Sequence, residues 1–249
     1  MRIRVMSTAS YRMSGRRTVY IVGCFMAVVV VGAGSQARVL LELMDRAGIC
    51  PIAGMVDDDP ALQGTKIEGI AVLGTIDRLP SLARVHRIHR AVIAIGNNAV
   101  RRKLAEIARA AGLRLPVLIH PSAVVSPTAV LGDGTVIMAG AIVGTHARIG
   151  ELAIINTKAS VDHDCMLGDY VHIAPGATLT GNVTIGNGVL VGAGATIIPD
   201  ICVGDDSLVG AGSTVIHDVP SQATVIGSPA RILAGRTGTL NMNPVETQA

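Results

Sequence analysis

Residues 123–218 read AVVSPT, AVLGDG, TVIMAG, AIVGTH, ARIGEL, AIINTK, ASVDHD, CMLGDY, VHIAPG, ATLTGN, VTIGNG, VLVGAG, ATIIPD, ICVGDD, SLVGAG and STVIHD, which is sixteen blocks of six without an insertion. The third residue of every block is Val, Ile or Leu, and Gly is fourth in eight of them. An α-helix keeps no six-residue period on one face, and a flat strand has period two. A fixed six-residue repeat is typical of a parallel β-helix. We therefore predict a prism in which three blocks make one coil, the third residue points inward, and Gly, Asn or Asp takes the corner that follows.

The composition agrees with such a core. The chain has 249 residues, of which 49% are hydrophobic and only 2% aromatic. A solenoid can be filled by stacked Val, Ile, Leu and Ala without rings, so the apolar fraction does not indicate a membrane protein. Net charge is +3, with five basic residues in the first 17 positions, and the near-neutral remainder implies neither a nucleic-acid partner nor stable membrane insertion. Four widely spaced cysteines without a CxxC motif are typical of reduced thiols in a cytoplasmic protein.

The two ends of the chain differ from this core. Residues 1–25 are basic and then apolar, as in a signal peptide or signal anchor, but the apolar run is shorter than the ~20 residues that a spanning helix needs. We interpret residues 1–25 as a disordered or non-native extension, with a targeting segment as the alternative and Met26 as a candidate start of translation. Residues 235–249 are polar and aperiodic, which predicts a disordered tail.

Residues 26–120 alternate strand and helix patterns. Strands are predicted at residues 27–31, 51–56, 91–95 and 116–119. One helix is predicted at residues 35–47, and a second has a predicted buried face made of Val100, Leu104, Ile107 and Ala111. This alternation predicts a parallel sheet of the mononucleotide-binding kind. The chain therefore divides into a Rossmann-like α/β domain at residues 26–120 and an all-β domain of hexapeptide repeats at residues 121–234.

A glycine-rich turn, GAGSQA at residues 32–37, follows the first predicted strand and opens the first helix. Glycine there permits close approach of a phosphate, and the helix N-terminus faces it. Asp57 lies 25 residues beyond Gly32, near the usual place of a ribose-binding acid. About 95 residues supply only one of the two halves that a dinucleotide needs, so we expect a mononucleotide-sized ligand rather than NAD. Gly34, Asp57 and Gly96 all follow predicted strands, which favours ligand binding over a turn that serves packing alone.

Polar residues break the corner pattern at two places in the hexads. Asn156 is one, and Asp162, His163 and Asp164 form the other. A histidine between carboxylates suits a general base with an orienting acid. His172 is second in its block and should point outward; it lies half a coil from His163, so one site contains both only if a neighbouring subunit supplies one of them. Two solvated surface histidines are the alternative, as is a zinc site between subunits, although the spacing matches no ligand motif.

Two Gly-Ala pairs, at residues 192–193 and 210–211, are 18 residues apart and therefore stack on successive coils. Such a bare column leaves backbone N–H and C=O groups open to a long thin ligand, for example a pantetheine arm. Ordinary corner packing explains the same residues, and the repeat alone does not decide between the two.

Seven motifs together make the chain similar to a known family. They are VVVGAG (29–34), VDDDP (56–60), AIGNN (94–98), LIHPSA (118–123), NTKASVDHDC (156–165), VHIAPGATLTGNVTIG (171–186) and GSPAR (227–231). The chain resembles bacterial sugar O- and N-acyltransferases of the NeuD/PglD group, which includes sialic acid O-acetyltransferases and amino-sugar N-acetyltransferases. The resemblance covers residues 27–233. It implies a Rossmann-like domain followed by a left-handed parallel β-helix, assembled as a homotrimer that transfers acetyl from acetyl-CoA to a sugar.

The resemblance also implies roles for individual residues. His163 corresponds to the catalytic base, Asp164 to the acid that raises its basicity, and Gly181 to a backbone N–H that holds the thioester oxygen. The positions that contact acetyl-CoA correspond to His172, Ala193 and Ala211. The acceptor site corresponds to Gly34, Ser35, Gln36, Asp57, Asp58 and Gly96, with Asn156 from the β-helix. The amino-sugar enzymes have a His where this chain has Gln36, which leaves the sugar and its nucleotide open. Tyr170 is the only aromatic residue of the predicted folded part, so the nucleotide base cannot be recognised by stacking.

These observations predict a cytoplasmic, metal-free acetyltransferase that uses acetyl-CoA to N-acetylate a nucleotide-linked amino sugar for surface glycan synthesis. A sialic acid O-acetyltransferase is the alternative within this class. A zinc lyase of the carbonic-anhydrase type and a non-catalytic scaffold that binds nucleotide sugars are the alternatives outside it. The sequence leaves open the acceptor, and whether an amine or a hydroxyl attacks.

Overall fold

The computed structural model describes residues 27–49 and 51–233. The predicted extension at residues 1–25, the predicted tail at residues 235–249, Cys24 and Cys50 lie outside the described residues, and their interpretation stays a prediction. The two described cysteines, Cys165 and Cys202, are both free thiols.

The first domain is a five-stranded sheet covered by helices. Its elements are, in chain order, β1 (Val28–Val31), α1 (Ser35–Arg46), β2 (Ile52–Val56), β3 (Lys66–Ile67), β4 (Ile70–Gly74), α2 (Leu79–Val85), β5 (Arg90–Ile93) and α3 (Asn98–Ala110), with 3-10 turns at Pro60–Leu62 and Ile76–Arg78. The strand order is β3-β4-β2-β1-β5, and only the β3–β4 pair is antiparallel. The all-valine β1 is buried on both faces because α1 packs on one side and α2 and α3 on the other. The predicted Rossmann-like architecture is confirmed.

Three details of this domain differ from the prediction. The β3–β4 hairpin and α2 were not predicted, because β3 has two residues and α2 seven, too few for a periodic signal. The buried face of α3 was predicted only in part. Leu104 is buried and Ile107 and Ala111 pack against the same core, but Val100 is 44% exposed, and Arg101, Ala105 and Ala108 are also buried. The strand predicted at residues 116–119 belongs to the second domain, since it pairs with the next coil of the β-helix rather than with β5.

The second domain is a three-sided prism of short parallel strands. Face 1 contains β6 (Leu118–Ile119), β9 (Val136–Ile137), β12 (Ile154–Ile155), β15 (His172–Ile173), β18 (Leu190–Val191), β21 (Leu208–Val209), β23 (Thr224–Gly227) and β24 (Ala230–Ile232). Face 2 contains β7 (Val124–Val125), β10 (Ile142–Val143), β13 (Ser160–Val161), β16 (Thr178–Leu179), β19 (Thr196–Ile197) and β22 (Thr214–Val215). Face 3 contains β8 (Val130–Leu131), β11 (Arg148–Ile149), β14 (Met166–Leu167), β17 (Thr184–Ile185) and β20 (Cys202–Val203). Residues 18 apart pair between coils, as in Ile142 with Ser160, so the predicted left-handed β-helix of hexapeptide repeats is confirmed.

The third residue of each block points inward as predicted, and Val161, Ile173 and Leu179 are fully buried. The left-handed corner residue is the sixth of the block, and in most blocks it is Gly, Asn or Asp as predicted, for example Asp164 with φ 59°. Fourth-position glycines have a different cause. A Cβ on Gly132 would lie 2.5 Å from the carbonyl carbon of the residue one coil further on, so a side chain does not fit between the coils.

The first domain packs against face 1 of the prism. Leu118, Val136 and Met138 join the apolar cluster of α1 and β1, and Leu152 joins the cluster of α2 and α3. The loop that follows β5 contacts the prism beside β15, since Gly96 hydrogen-bonds the ring of His172. The packing therefore brings the carboxyl edge of the first sheet next to His172 and Asn156, whereas His163 lies at the corner between faces 2 and 3.

Candidate active site

His163 and Asp164 lie at the corner between faces 2 and 3. The backbone N–H of His163 donates to Asp162 Oδ1 at 2.7 Å, and His163 Nδ1 lies 2.9 Å from Asp164 Oδ2. Asp164 reaches back to the ring because its own backbone is left-handed. The hydrogen bond to Asp164 is the main cause of a raised His163 pKa, and the charges of Asp162 and Asp164 add to it. The pair is therefore an imidazole whose Nδ1 is fixed by a carboxylate and whose Nε2 is open to solvent.

Gly181 lies directly against the His163 ring, one coil further on. A Cβ at Gly181 would be 2.5 Å from His163 Cε1 and 2.6 Å from Nε2, so only glycine leaves room for the ring in this position. The N–H of Gly181 donates to no acceptor among the described residues. An open backbone donor beside an oriented imidazole can hold the oxyanion of an acyl-transfer intermediate.

His172 lies on face 1 and points outward as predicted, but the first domain covers it. Its Nε2 is 3.1 Å from Asn156 Nδ2, and the ring also hydrogen-bonds the Gly96 backbone. Burial is the main cause that lowers the pKa of His172 to about 4, and the positive charge of Arg101 acts in the same direction. His172 is therefore neutral at physiological pH.

The surroundings of His172 fix its tautomer. Asn156 Oδ1 accepts the N–H of Thr157 at 2.7 Å, which leaves the Asn156 amide nitrogen to donate to His172 Nε2. The donor to the Gly96 carbonyl is then Nδ1–H. Asn156 and His172 thus form one hydrogen-bonded chain that runs from the loop after β5 to the corner between faces 1 and 2.

That same corner carries the Gly-Ala column. Ala193 and Ala211 stack on successive coils, since Gly212 N donates to Ala193 O at 2.8 Å, and both alanines are exposed. Their own N–H groups donate to no acceptor among the described residues. A Cβ at Gly192 would lie 2.5 Å from the Ala211 nitrogen, so coil packing does require the glycine. In the first pair the glycine is therefore required by coil packing, and both alanines leave an open backbone N–H at the surface.

In the glycine turn of the first domain, too, one glycine is required by packing and another lies beside open backbone donors. A Cβ at Gly32 would lie 2.8 Å from Ile95 Cδ1, so Gly32 serves the packing of the turn on the strand end. Gly34 has open space around its Cα and precedes α1 without a side-chain cap. The N–H groups of Ser35 and Gln36 accordingly remain available to an anion at the start of the helix.

Asp57 and Asp58 are both engaged by backbone donors. Asp57 Oδ2 accepts the N–H of Ala33 at 2.6 Å, and Oδ1 accepts that of Asp59 at 2.9 Å. Asp58 Oδ1 accepts the N–H of Ile76 at 2.8 Å. These carboxylates hold the loops at the carboxyl edge of the sheet, and Asp57 in particular ties its loop to the glycine turn.

The structure thus brings the residues noted from the sequence into four groups. Gly34, Asp57 and Gly96 share one edge of the first sheet, and Gly96, Asn156 and His172 share the domain boundary. His163 with Gly181 occupies a different corner of the prism from Ala193 with Ala211.

Sequence reasoning missed Arg101, which contacts the Gly96 carbonyl; its only signal was a cation between apolar helix positions. Cys165 was also missed as a neighbour of the pair; its buried thiol donates to Thr180 O, and burial raises its pKa.

Two absences concern the described residues alone. Residues 27–49 and 51–233 contain no group of three or more His, Cys, Asp or Glu placed to hold a metal ion. None of the helices in these ranges is long and apolar enough to cross a membrane.

Comparison with known proteins gives two family matches. Residues 27–108 match the PglD N-terminal domain, and residues 182–217 match the bacterial transferase hexapeptide (six repeats). A curated relative, the UDP-N-acetylbacillosamine N-acetyltransferase of Bacillus subtilis (strain 168), is 43% identical over 113 residues. That match covers 45% of this chain and spans about half, 51%, of the relative.

Solved structures match over nearly their whole length. PerB from Caulobacter crescentus, in complex with CoA and GDP-perosamine, is 42% identical with a TM-score of 0.79, covering 84% of this chain and 98% of PerB. The acetyltransferase domain of PglB from Neisseria gonorrhoeae FA1090, in complex with acetyl coenzyme A, is 41% identical with a TM-score of 0.78. The match covers 83% of this chain and 98% of that domain.

Proposed function

The chain belongs to the bacterial sugar acyltransferases that join a PglD N-terminal domain to hexapeptide repeats, and from this premise we propose that it transfers acetyl from acetyl-CoA to the amino group of a nucleotide-linked sugar. The observation that carries the proposal is the His163–Asp164 pair lying against Gly181, whose backbone N–H is open. We place the reaction in the cytoplasm, at the stage where a glycan precursor is still attached to its nucleotide.

In this mechanism the nitrogen of the acceptor amine attacks the thioester carbonyl, and His163 Nε2 takes a proton from that amine. Asp164 keeps the proton of the neutral imidazole on Nδ1, so that Nε2 is the free base. The carbonyl oxygen becomes an oxyanion that the Gly181 N–H stabilises. Collapse of the intermediate breaks the C–S bond, and the CoA thiolate leaves with the proton that His163 holds. A positioned base contributes about 10²–10⁴-fold to such a reaction, and one oxyanion donor about 10²–10³-fold.

The coenzyme is assigned to the corner between faces 1 and 2. Ala193 and Ala211 offer stacked N–H groups without side chains in the way, which suits the amides of a pantetheine arm. His172 completes this surface as a neutral group, because its pKa is lowered to about 4. A neutral imidazole beside a thioester neither repels nor binds a charge, so we assign it to positioning of the coenzyme and not to proton transfer.

The acceptor is assigned to the carboxyl edge of the first sheet. The N-terminus of α1 with Gly34, Ser35 and Gln36 would hold the diphosphate, and Asp57 and Asp58 fix the neighbouring loops. Gly96 lies between this edge and Asn156, on the route from the diphosphate to the coenzyme. Gln36 can still donate a hydrogen bond, but without a positive charge.

The two halves of the reaction centre come from different chains in this proposal. His163 with Gly181 and Ala193 with Ala211 occupy the two corners that bound face 2 of one prism. A three-fold axis in front of face 2 would bring one corner of each chain to the other corner of the next. We therefore propose a homotrimer with three sites, each shared between neighbours.

Acetyl-CoA turnover with defined acceptors tests the proposal. Free thiol is measured with GDP-perosamine, a UDP-linked 4-amino sugar and free sialic acid as acceptors. Release with an amino sugar linked to a nucleotide supports N-acetylation, whereas release with sialic acid alone supports the O-acetyltransferase. No release with any acceptor, together with tight nucleotide-sugar binding, would favour the scaffold. Hydration of CO₂ by metal-loaded protein would favour the lyase.

A further inference from the structure

Helix α3 buries an arginine without a carboxylate beside it. Arg101 is 1% exposed, and it forms no salt bridge with any described residue. Its hydrogen bonds all go to neutral carbonyl or amide oxygens. Burial lowers the pKa of Arg101 to about 9. Burying a cation costs free energy that an apolar side chain of similar volume would not cost. The reason for an arginine at this position is therefore sought in the oxygens that it contacts.

Two of these contacts involve one column of backbone carbonyls on the prism. Leu152, Tyr170 and Gly188 are 18 residues apart, at the corner between faces 3 and 1, and we call their oxygens the carbonyl column. The hydrogen bonds between coils leave this column unused, since they run from Ile154 to Val171 and from His172 to Val189. Arg101 Nε donates to Leu152 O at 2.9 Å and Nη2 to Tyr170 O at 2.9 Å.

Asn98 extends the same contact by one coil. Its Nδ2 donates to Gly188 O at 2.8 Å, and its Oδ1 accepts from Arg101 Nη2 at 2.8 Å. Two residues one turn apart on α3 thus satisfy three successive carbonyls of the column. The spacing between coils fixes the height of α3 along the prism, and the planar guanidinium fixes its orientation.

The other edge of the guanidinium holds the loop after β5. Arg101 Nη1 donates to Gly96 O at 2.8 Å and to Ile95 O at 3.3 Å. Gly96 also accepts from His172, which continues through Asn156 to Thr157 at the coenzyme corner. A shift of the Gly96 carbonyl would therefore reach both the acceptor edge and the coenzyme corner.

We propose that Arg101, together with Asn98, is a positioning residue for acetyl transfer, which holds the Gly96 loop at a fixed place on the carbonyl column so that the bound acceptor meets the coenzyme. The assignment rests on the proposed function for its kinetic consequence, and on the contacts alone for its structural one. A misplacement of about 1 Å can cost about 10²-fold in rate, so loss of the contacts that hold the Gly96 loop should lower the rate of acetyl transfer.

The test compares Arg101→Lys and Asn98→Ala with two controls on the same helix, Arg102→Met and Arg109→Met. Arg101→Lys keeps the charge but cannot reproduce the planar set of donors. Arg102 lies over the Tyr170 ring at 5.3 Å and Arg109 pairs with Glu151 at the surface, so both controls remove side-chain contacts at the domain boundary without a bond to the three column oxygens. The measurements are amide hydrogen exchange of residues 94–98 in the full chain, the Kd of acetyl-CoA, and kcat and KM for the UDP-linked 4-amino sugar or GDP-perosamine.

We expect faster exchange at residues 94–98 and about 10²-fold lower kcat/KM for the acceptor in Arg101→Lys. The loss of acetyl-CoA affinity should be smaller, because the Gly96 loop reaches the coenzyme corner only through His172 and Asn156. Asn98→Ala should change the same quantities in the same direction by less, and it decides the matter if Arg101→Lys does not fold. Wild-type exchange and kinetics in the folded variants, or equal losses in the two controls, would overturn the proposal. If the wild-type protein acetylates none of the acceptors, the proposed function fails, and the exchange rates alone then decide on Arg101.

Discussion

Two histidines whose hexads are separated by one further hexad have opposite surroundings, and this difference supports the roles that we propose for them. His163 is exposed and its pKa is raised by the hydrogen bond to Asp164. His172 is covered by the first domain, accepts from Asn156, and has a pKa lowered to about 4. A base must be free to take a proton at neutral pH, and the Nε2 of His172 is already occupied. The side chain that can act as the base is therefore His163.

His163→Ala should lower kcat by about two to four powers of ten, because a positioned base contributes that much to a proton transfer. Acetyl-CoA affinity and the free energy of unfolding should hardly change, since the ring is exposed and fills no core position. Steady-state kinetics measures kcat and the dependence on acetyl-CoA, and chemical denaturation measures the free energy of unfolding. Near-normal kcat with the true acceptor would show that His163 is not the base.

The pH profile separates the two histidines. Activity needs the neutral form of His163, so kcat/KM should rise with pH and level off above the raised pKa. His172 acting as the base would place the midpoint near 4. The acceptor amine titrates too, so Asp164→Asn isolates the histidine: loss of the carboxylate should move the midpoint to lower pH. An unmoved midpoint in Asp164→Asn would remove Asp164 from its assigned role.

Gly181→Ala should reduce kcat about 10²-fold, because its methyl group would lie 2.5 Å from His163 Cε1 and force the ring aside. The ring is exposed and can move without disturbing the core, so Tm should stay near that of the wild type. Asn182→Ala, at the next residue of the same corner, is the matched control and should leave kcat unchanged. Wild-type kcat in Gly181→Ala would mean that the ring position is not required.

At the scale of elements, the β-helix was predictable from the sequence and parts of the first domain were not. A hexad imposes the same inward position sixteen times, so the period outweighs any local deviation. The corner geometry was predictable only in part: Leu152 and Tyr170 have left-handed backbones that their residue types do not indicate. In α3 the apolar pattern did not indicate that Arg101 is buried. Its guanidinium is buried because it hydrogen-bonds backbone carbonyls of the second domain, which is distant in sequence.

The contacts of the candidate site also divide into those that the sequence predicts and those that it does not. His163 and Asp164 are adjacent in sequence, so their pairing was predictable from the chain alone. The contact of His172 with Gly96 joins residues of two domains, and no periodicity reports it. Asp57 was correctly placed at a strand end, but its bond to Ala33 follows from a loop conformation that the sequence does not specify.

The loop after β2 offers a test of the acceptor assignment. Asp57→Asn keeps the shape of the side chain but cannot accept from both Ala33 and Asp59, so the glycine turn loses one of its ties. We expect the acceptor KM to rise about tenfold, which corresponds to one hydrogen bond of average strength, with the acetyl-CoA KM unchanged. Asp59→Asn, which affects only the cap on Ala61, is the control. Equal increases in both KM values would place the acceptor elsewhere.

At the scale of the whole molecule, the proposed site joins two corners that one rigid prism keeps apart. Face 2 lies between them, and its outward side chains toward β22 are small: Ser160, Thr178, Thr196 and Thr214. Toward β7 the same face exposes Val124 at 64% and Ile142 at 46%. A flat face with small and apolar side chains suits close contact with other chains around a three-fold axis. The corner with His163 would then meet the neighbour's corner with Ala193 and Ala211.

Mixed trimers test this arrangement directly. His163→Ala removes the base, and Ala211→Trp blocks the coenzyme column, so each homotrimer should be inactive. In a mixed trimer, one site in about three combines an intact His163 with an intact Ala211 on the adjacent chain. Co-expression of the two variants with different tags and purification through both tags should therefore restore about a third of wild-type turnover per trimer. Light scattering would give the mass of the purified assembly. A mixed trimer without activity would place both halves of the site on one chain, and an active monomer would remove the need for a shared site altogether.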